Sequence, residues 1–462
     1  MPMSIESRNP ATGELHQSFE ELTDDQVEAA LERAAEASES LRRMGRKDRA
    51  AGLMRLAGNL EKDRDRLAAI ATEEMGKTFA SARAEIDKCA SVCRYYAEHG
   101  PAFLEDEPVK IDEGSAYVAT LPLGPILAVM PWNFPYWQVY RFAAPALMLG
   151  NPGLLKHASN VPRVALAIEE AIISAGFPEG AFQTLLVSSG KVENIVRDRR
   201  VRGVTLTGSE PAGKAVAAAA GDEIKPSVLE LGGSDPFIVM PSADLDAAVA
   251  AAVTGRTMNN GQSCIAAKRF IVHDEVHDSF KQKLADRFAA LKVGDPMHAD
   301  TDIGPLVDAS ALDEICGQVE RSVKAGATRV CGAERVSVEG YPQGNWFRPG
   351  ILADIPEDAP AYREEIFGPV ALLFRTPNLE EAIELANDSP FGLGSAIFTR
   401  DRSEVDHAVR RLEAGATAVN RIVASDPRLP FGGVKTSGYG RELAKEGLLA
   451  FANRKTVTVT GL

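Results

Sequence analysis

Apolar positions recurring every three to four residues predict helices through the first hundred residues. Thr23 followed by Gln26 forms a capping box ahead of a stripe of Val27, Leu31, Ala34 and Ala35. Two further helical stretches follow over 47–74 and 79–104. From Val109 the period changes. The runs PVKI and SAYVATL flank the turn signal Asp112-Glu113-Gly114, which predicts a hairpin. Between about 125 and 240, short apolar runs (ILAVM, GLLK, TLLV, GVTLT, VLEL, PFIVM) alternate with helical segments such as 162–175, closed by Gly176. That alternation predicts a parallel sheet with helices on its faces. A second series runs from about 269 to 420 (RFIVH, helices 276–291 and 311–325, then AIFT and TAVN) and predicts a second α/β domain. The tail RKTVTVTGL alternates Val with Thr and has no obvious sheet of its own. A lone strand exposes unpaired backbone groups, so pairing with a second subunit, in a homodimer or a dimer of dimers, is the expectation.

Composition narrows the class. The 462 residues exceed one hydrophobic core, and 45% hydrophobic with 25% charged residues is the balance of a globular chain. A formal net charge of -14 argues against nucleic acid or an anionic membrane as partner. No run reaches the roughly 18 apolar residues of a membrane span, and the N-terminus lacks a basic segment followed by an apolar run. Five cysteines, Cys89, Cys93, Cys264, Cys316 and Cys331, form no metal-ligand or disulfide framework. A reducing cytoplasm fits this usage.

Three residues have surroundings suited to chemistry. Cys264 sits in NNGQSCIAAKR, a polar, glycine-containing turn unlike the core setting of an ordinary free cysteine. Glu230 stands in the apolar strand VLELGG, where burial costs an unpaired carboxylate and raises its pKa toward that of a working base. Asn133, in MPWNFPYWQVYR, suits either a turn or donation of its amide to a developing oxyanion. TLTGSEPAGKAV has a glycine-bearing strand-to-helix turn fit for a pyrophosphate. However, Ala215 stands where a triphosphate loop needs Ser or Thr, and no G-x-G-x-x-G follows a strand.

Together these segments closely resemble the aldehyde dehydrogenase superfamily, from NPATGE near the start to PFGGVKTSGYGRE near the end. The matching motifs are PWNFP (131–135), GLLKHAS around Lys156, AGFPEG (175–180), TGS (207–209), LELGG (229–233), GQSC (261–264), EEIFGPV (364–370) and PFGGVK (430–435). YAEHGP (96–101), LELGGSDPFIV, LANDSPFGL (385–393) and the ASD before PFGG are most similar to the bacterial succinate semialdehyde dehydrogenases of that superfamily. The resemblance implies two Rossmann-type α/β domains plus a small β oligomerisation arm. It places the NAD(P)-binding domain at 1–103, 123–232 and 433–449, the catalytic domain at 233–432, and the arm at 104–122 and 450–462.

It also implies roles. Cys264 would attack the aldehyde, Asn133 and the Cys264 N–H would hold the oxyanion, and Glu230 would activate the thiol, the hydrolytic water, or both. For NAD or NADP, Lys156 would bind the adenosine ribose and Gly208 and Ser209 would lie under the pyrophosphate. Glu365 would hold the nicotinamide ribose, Phe367 would pack near the ring, and Trp132 would join the cofactor site. Three departures matter, the first and third for specificity and the second because it leaves no local disulfide switch. Ser159 stands where NAD-preferring members often have glutamate, which favours NADP acceptance. Ala266 replaces a cysteine that some relatives carry. Met258 stands where relatives have an arginine for a substrate carboxylate. Arg141 matches another such arginine, with a helix-surface or interdomain salt bridge as its competing reading. Ser425 and Arg428 are candidates to compensate for Met258, and Trp137 and Gln138 are expected at the entrance. A CoA-acylating enzyme, another aldehyde as substrate, and a non-enzymatic scaffold are the competing readings. Glu230 argues against the first, and the intact Cys264, Glu230 and Asn133 against the last.

Overall fold

The computed structural model describes residues 5–460. Its frame is two α/β sheets between which the chain crosses twice, out after Glu230 and back before Gly438. The first sheet has six strands in the order Gly438–Tyr439, Ser227–Glu230, Gly203–Thr207, Ile126–Met130, Gly153–His157 and Phe182–Thr184. All pair in parallel except Gly438–Tyr439. The chain starts in the middle at Ile126–Met130, builds outward one way, then returns to build the other way from Gly203–Thr207. These two neighbouring strands therefore form a switch point, where the following loops separate and leave a crevice. Every residue of Ile126–Met130 but Val129 is buried, and Gly203–Thr207 is buried throughout. This continuous burial is why both strands read as apolar runs without alternation.

The second sheet has seven strands in the order Thr328–Cys331, Gly350–Ala353, Val370–Thr376, Ala267–His273, Asp235–Val239, Gly394–Phe398 and Ala416–Val419. Only Thr328–Cys331 is antiparallel to its neighbour. The chain passes from the first sheet to the second through Leu231-Gly232-Gly233-Ser234, between Ser227–Glu230 and Asp235–Val239.

The capping box is formed: Gln26 N–H donates to Thr23 Oγ1 at 3.2 Å, and Thr23 N–H donates to Gln26 Oε1 at 2.8 Å. Three expectations need correction. The first hundred residues are not wholly helical, because Ile5–Arg8 and Leu15–Phe19 pair as a two-stranded sheet too short to show a period. The stretch 47–74 is two helices, Arg46–Lys62 and Arg64–Met75, broken at Asp63. The tail strand Ala452–Val459 does have a sheet within its own chain. It pairs antiparallel along Ser115–Pro122, which also pairs with Glu107–Val109, so the hairpin and the tail form one three-stranded arm. Residues 115 and 459 are too far apart in sequence for local pattern to reveal the pairing. No helix among the described residues is long and apolar enough to cross a membrane.

Candidate active site

Loops from the two sheets meet at the switch point. The turn after Ile126–Met130 carries Pro131, Trp132 and Asn133, and the turn after Gly203–Thr207 carries Gly208 and Ser209. Opposite stand loops that lead into the second sheet. Cys264 precedes Ala267–His273, and Glu365 and Phe367 precede Val370–Thr376. These residues, with Gln138, line one cavity of about 250 Å³. Trp132 and Phe367 meet edge to face with ring centroids 5.8 Å apart.

The turn before Cys264 has a backbone shape that explains its composition. Asn259 and Asn260 are both left-handed (φ 56° and 57°), a region that asparagine tolerates better than most residues. Gly261 follows at φ 77°, where a side chain would strike the backbone of Pro369. The amides then fasten this turn to its surroundings. Asn260 Nδ2 donates to the carbonyls of Gly76 (2.8 Å) and Pro305 (3.0 Å). Asn259 Nδ2 donates to the carbonyls of Asn133 (2.7 Å) and Gln262 (3.0 Å). Asn133 Nδ2 donates to the Gln262 carbonyl at 3.1 Å, and Asn133 Oδ1 accepts from Gln138 Nε2 at 3.0 Å. The Asn133 amide is thus oriented by both neighbours, and an NH₂ group has a second hydrogen to give.

Cys264 is half-buried as a residue, and desolvation pushes its thiol pKa up to about 12, against the opposing pull of Lys268 and Arg141. It therefore rests protonated and needs a base to become nucleophilic. Lys268 itself is fully buried beneath the loop, where its ammonium donates to the carbonyls of Ser263 (2.9 Å) and Cys264 (3.0 Å) and pairs with Glu365 Oε1 at 3.0 Å. Glu365 Oε1 also accepts from the Gly233 N–H at 3.1 Å.

Glu230 is buried, and neither of its oxygens has a hydrogen-bond partner among the described residues. Desolvation holds its pKa well above the usual carboxylate range; Arg141 opposes the shift and Glu442 adds to it. The carboxylate does not line the Cys264 cavity but lies beside Gly432, where a Cβ would come within 2.7 Å of Glu230 Oε1. Nothing larger than the glycine of PFGG fits there.

The other expected residues fall elsewhere. Lys156 is buried on Gly153–His157 with its pKa lowered by desolvation, and Ser159 follows two residues after that strand. The structure does not bring Arg141 into the Cys264 cavity. Its guanidinium is buried in an ion pair with Glu442, donates to Thr207 Oγ1 at 3.2 Å, and lies 4.7 Å over the Phe431 ring. Arg428 is exposed and paired with Asp426 at 2.6 Å within its own loop. Trp137 is buried and lines a second cavity of about 520 Å³, while Ser425 is buried and accepts from Lys88 Nζ at 2.7 Å.

Four contributors were not read from the sequence: Lys88, Lys268, Asn259 and Glu442. Lys268 and Asn259 lay within the NNGQSC–AKR segment, yet only the fold reveals that both turn inward. Glu442 and Lys88 had no local signal.

Comparison with known proteins agrees with this architecture. The aldehyde dehydrogenase family model matches residues 2–457. A protein named succinate-semialdehyde dehydrogenase (NADP(+)) 1, from Mycobacterium tuberculosis, is 55% identical over 460 residues, covering 99% of this chain and 100% of its own. One from Synechocystis, named probable succinate-semialdehyde dehydrogenase (NADP(+)), is 52% identical over 457 residues, covering 99% and 100%. The crystal structure of succinic semialdehyde dehydrogenase from Streptococcus pyogenes, in complex with NADP+ as the cofactor, superposes with a TM-score of 0.96 at 40% identity, covering 99% and 100%. The switch-point cavity, the cysteine turn facing it and these full-length matches place the chain in the aldehyde dehydrogenase family.

Proposed function

We propose that the protein oxidises succinate semialdehyde to succinate with NADP+ or NAD+, through a covalent bond to Cys264. One observation carries this reading. A thiol and an amide donor from different sheets line the same cavity, at the strand ends where an α/β sheet binds dinucleotides. The residues fit such a cofactor. The Gly208-Ser209 turn opens the helix Glu210–Asp222 with no side-chain cap on its first N–H groups, which leaves them for a pyrophosphate. Lys156 supplies a buried ammonium on Gly153–His157, the strand on the other side of Ile126–Met130. Ser159 offers a hydroxyl where a carboxylate would repel a 2′-phosphate, and the cited relatives are named for NADP(+).

The chain's own part follows from its charges. Glu230 takes the thiol proton, because a carboxylate with raised pKa is matched to that transfer and turning toward the cavity breaks none of its hydrogen bonds. Cys264 Sγ bonds to the carbonyl carbon, while Asn133 Nδ2 and the Cys264 N–H donate to the oxygen as it gains charge. When bound, the nicotinamide cofactor supplies the acceptor for the hydride that leaves this carbon, so a thioester remains on Cys264. Glu230 releases the first proton to solvent and then takes another from water, whose oxygen attacks the thioester carbon, and the sulfur departs as a thiolate that regains a proton. Lys268 holds the carbonyls of residues 263 and 264, and so the pose of the nucleophile loop.

The direct test is purified protein with a matrix of semialdehydes and simple aldehydes against both cofactors, followed by absorbance of the reduced nicotinamide. Absence of reduction with every aldehyde removes the reading. We further propose a homo-oligomer in a cytoplasmic setting, with the three-stranded arm as the contact. Light scattering on the purified chain checks the assembly, and a monomeric mass removes it.

A further inference from the structure

On the far side of the Asn133 turn lies the larger cavity, of about 520 Å³. Phe134 and Trp137 wall it from the segment that carries Asn133, and Met258 and Asn259 wall it from the segment that leads to Cys264. It therefore borders both segments that carry the reacting groups, while Asn133 and Cys264 themselves line the smaller cavity. Its wall is apolar around Phe134, Trp137 and Met258, with one half-buried ammonium, Lys88, projecting from the helix Phe79–Phe103.

Lys88 is a cation without a carboxylate of its own. Its Nζ donates to Ser425 Oγ at 2.7 Å and lies 4.2 Å over the Trp137 ring, both neutral partners. The acidic groups nearby are already committed. Glu85, one turn earlier on the helix, pairs with Lys77 and accepts the N–H groups of Tyr136 (2.9 Å) and Trp137 (2.8 Å). Asp426 pairs with Arg428 at 2.6 Å. Desolvation, with Arg141 adding to it, lowers the Lys88 pKa to about 8. A half-buried ammonium stacked on an aromatic face, facing an apolar wall and with no carboxylate paired to it, is arranged to receive one.

We propose that Lys88, with the Ser425 hydroxyl beside it, seats the distal carboxylate of the semialdehyde. This rests on the substrate reading above and assigns its specificity to Lys88 rather than to Arg141, whose guanidinium is consumed by Glu442. The methylene chain then lies along Trp137 and Met258, and the aldehyde end points toward Asn133 and Cys264. Arg287 also borders the cavity but is exposed, so it offers a far weaker site for a carboxylate.

Steady-state kinetics on succinate semialdehyde and on butanal, an uncharged aldehyde of the same carbon count, tests the assignment. Lys88→Met keeps the length and packing of the side chain and removes its charge. The expected result is a KM for succinate semialdehyde raised about ten- to a hundred-fold, the range for loss of a charge-assisted hydrogen bond. The KM for butanal should be unchanged or lower. Lys88→Arg should recover part of the loss. Succinate, as an inhibitor of butanal oxidation, should weaken in Lys88→Met by a similar factor. If the wild-type protein prefers succinate semialdehyde and Lys88→Met alters both substrates equally, or neither, the Lys88 seat is overturned and the substrate reading stands. If the wild-type protein shows no preference for succinate semialdehyde over butanal, the substrate reading falls and the seat falls with it.

Discussion

The two sheets are both mainly parallel α/β layers, yet they present opposite ends to the site. The first offers the carboxyl ends of its strands, where Asn133 follows Met130 and Gly208 follows Thr207. The second offers the amino ends, where Cys264 precedes Ala267 and Glu365 precedes Val370. The difference divides the work. Strand-to-helix turns at carboxyl ends leave helix N–H groups free, which suits an anionic cofactor. Loops entering a sheet at the amino ends are free of that demand and carry reactive side chains instead. Their backbone is held by buried groups such as Lys268 and Asn259. Variants on the two sides should therefore fail in different ways.

The largest effect is expected on the thiol side. Cys264→Ala should lower dehydrogenase turnover roughly a thousandfold or more, since removal of a covalent nucleophile abolishes the stepwise route. Cofactor affinity, read by quenching of Trp132 fluorescence, should change little. A large loss of cofactor binding would break the division between the two edges.

Glu230→Gln keeps the shape of the buried side chain and removes its proton affinity. Turnover should fall about 10²–10⁴-fold, the contribution of a positioned general base. A rapid burst of one reduced cofactor per site would place the loss in thioester hydrolysis, and no burst would place it at the thiol. Unchanged turnover would remove Glu230 as the base. Asn133→Ala, on the carboxyl-end side but aimed at the reacting carbonyl, should cost about 10²–10³-fold in kcat. If it instead raises only the KM for the cofactor, Asn133 belongs wholly to the cofactor edge.

Much of this arrangement was legible beforehand because it is written locally. The strands at 126–130 and 203–207 are buried runs bounded by turns, and the capping box at Thr23 spans three residues. Cys264, Glu230 and Asn133 each sit in segments whose polarity clashes with their neighbours. What escaped was long-range. Local pattern leaves the tail without a sheet, and only the resemblance grouped 104–122 with 450–462; Arg141 finds Glu442 about three hundred residues away. An arginine placed on helix spacing alone looks equally suited to a substrate carboxylate or to an internal one, and the fold supplies the internal partner. Lys88 is the converse case. On its helix it reads as an ordinary surface lysine, and only packing against Trp137 and Ser425 gives it a chamber to face.

The cofactor edge can be probed without touching the thiol. Ser159→Glu would add a carboxylate beyond the strand that carries Lys156, and like charges placed side by side oppose binding. The KM for NADP+ should rise by at least about tenfold, with a much smaller change for NAD+ and unaltered alkylation of Cys264. Equal changes for both cofactors would show that residue 159 does not face the 2′-phosphate.

The smallest expected effect concerns the stability of the same edge. His157 ends the strand Gly153–His157 and is buried. Its Nε2 faces the Pro135 carbonyl at 2.9 Å, and its Nδ1 accepts from the Ala158 N–H at 2.9 Å, so the neutral ring clasps the turn that carries Asn133. Desolvation lowers its pKa from 6.5 to about 4. A histidine whose pKa falls on folding binds more protons when unfolded. Its contribution to stability is therefore complete above about pH 6.5 and is lost as the pH falls toward the folded value. The melting temperature should decline between these limits, and His157→Gln, which cannot titrate, should be less stable at neutral pH but show a flatter decline. A variant with the wild-type slope would locate the acid sensitivity elsewhere. Glu74 cannot mimic the effect. Its pKa is raised to about 7 by burial, so its contribution is present at acid pH and is lost as the pH rises.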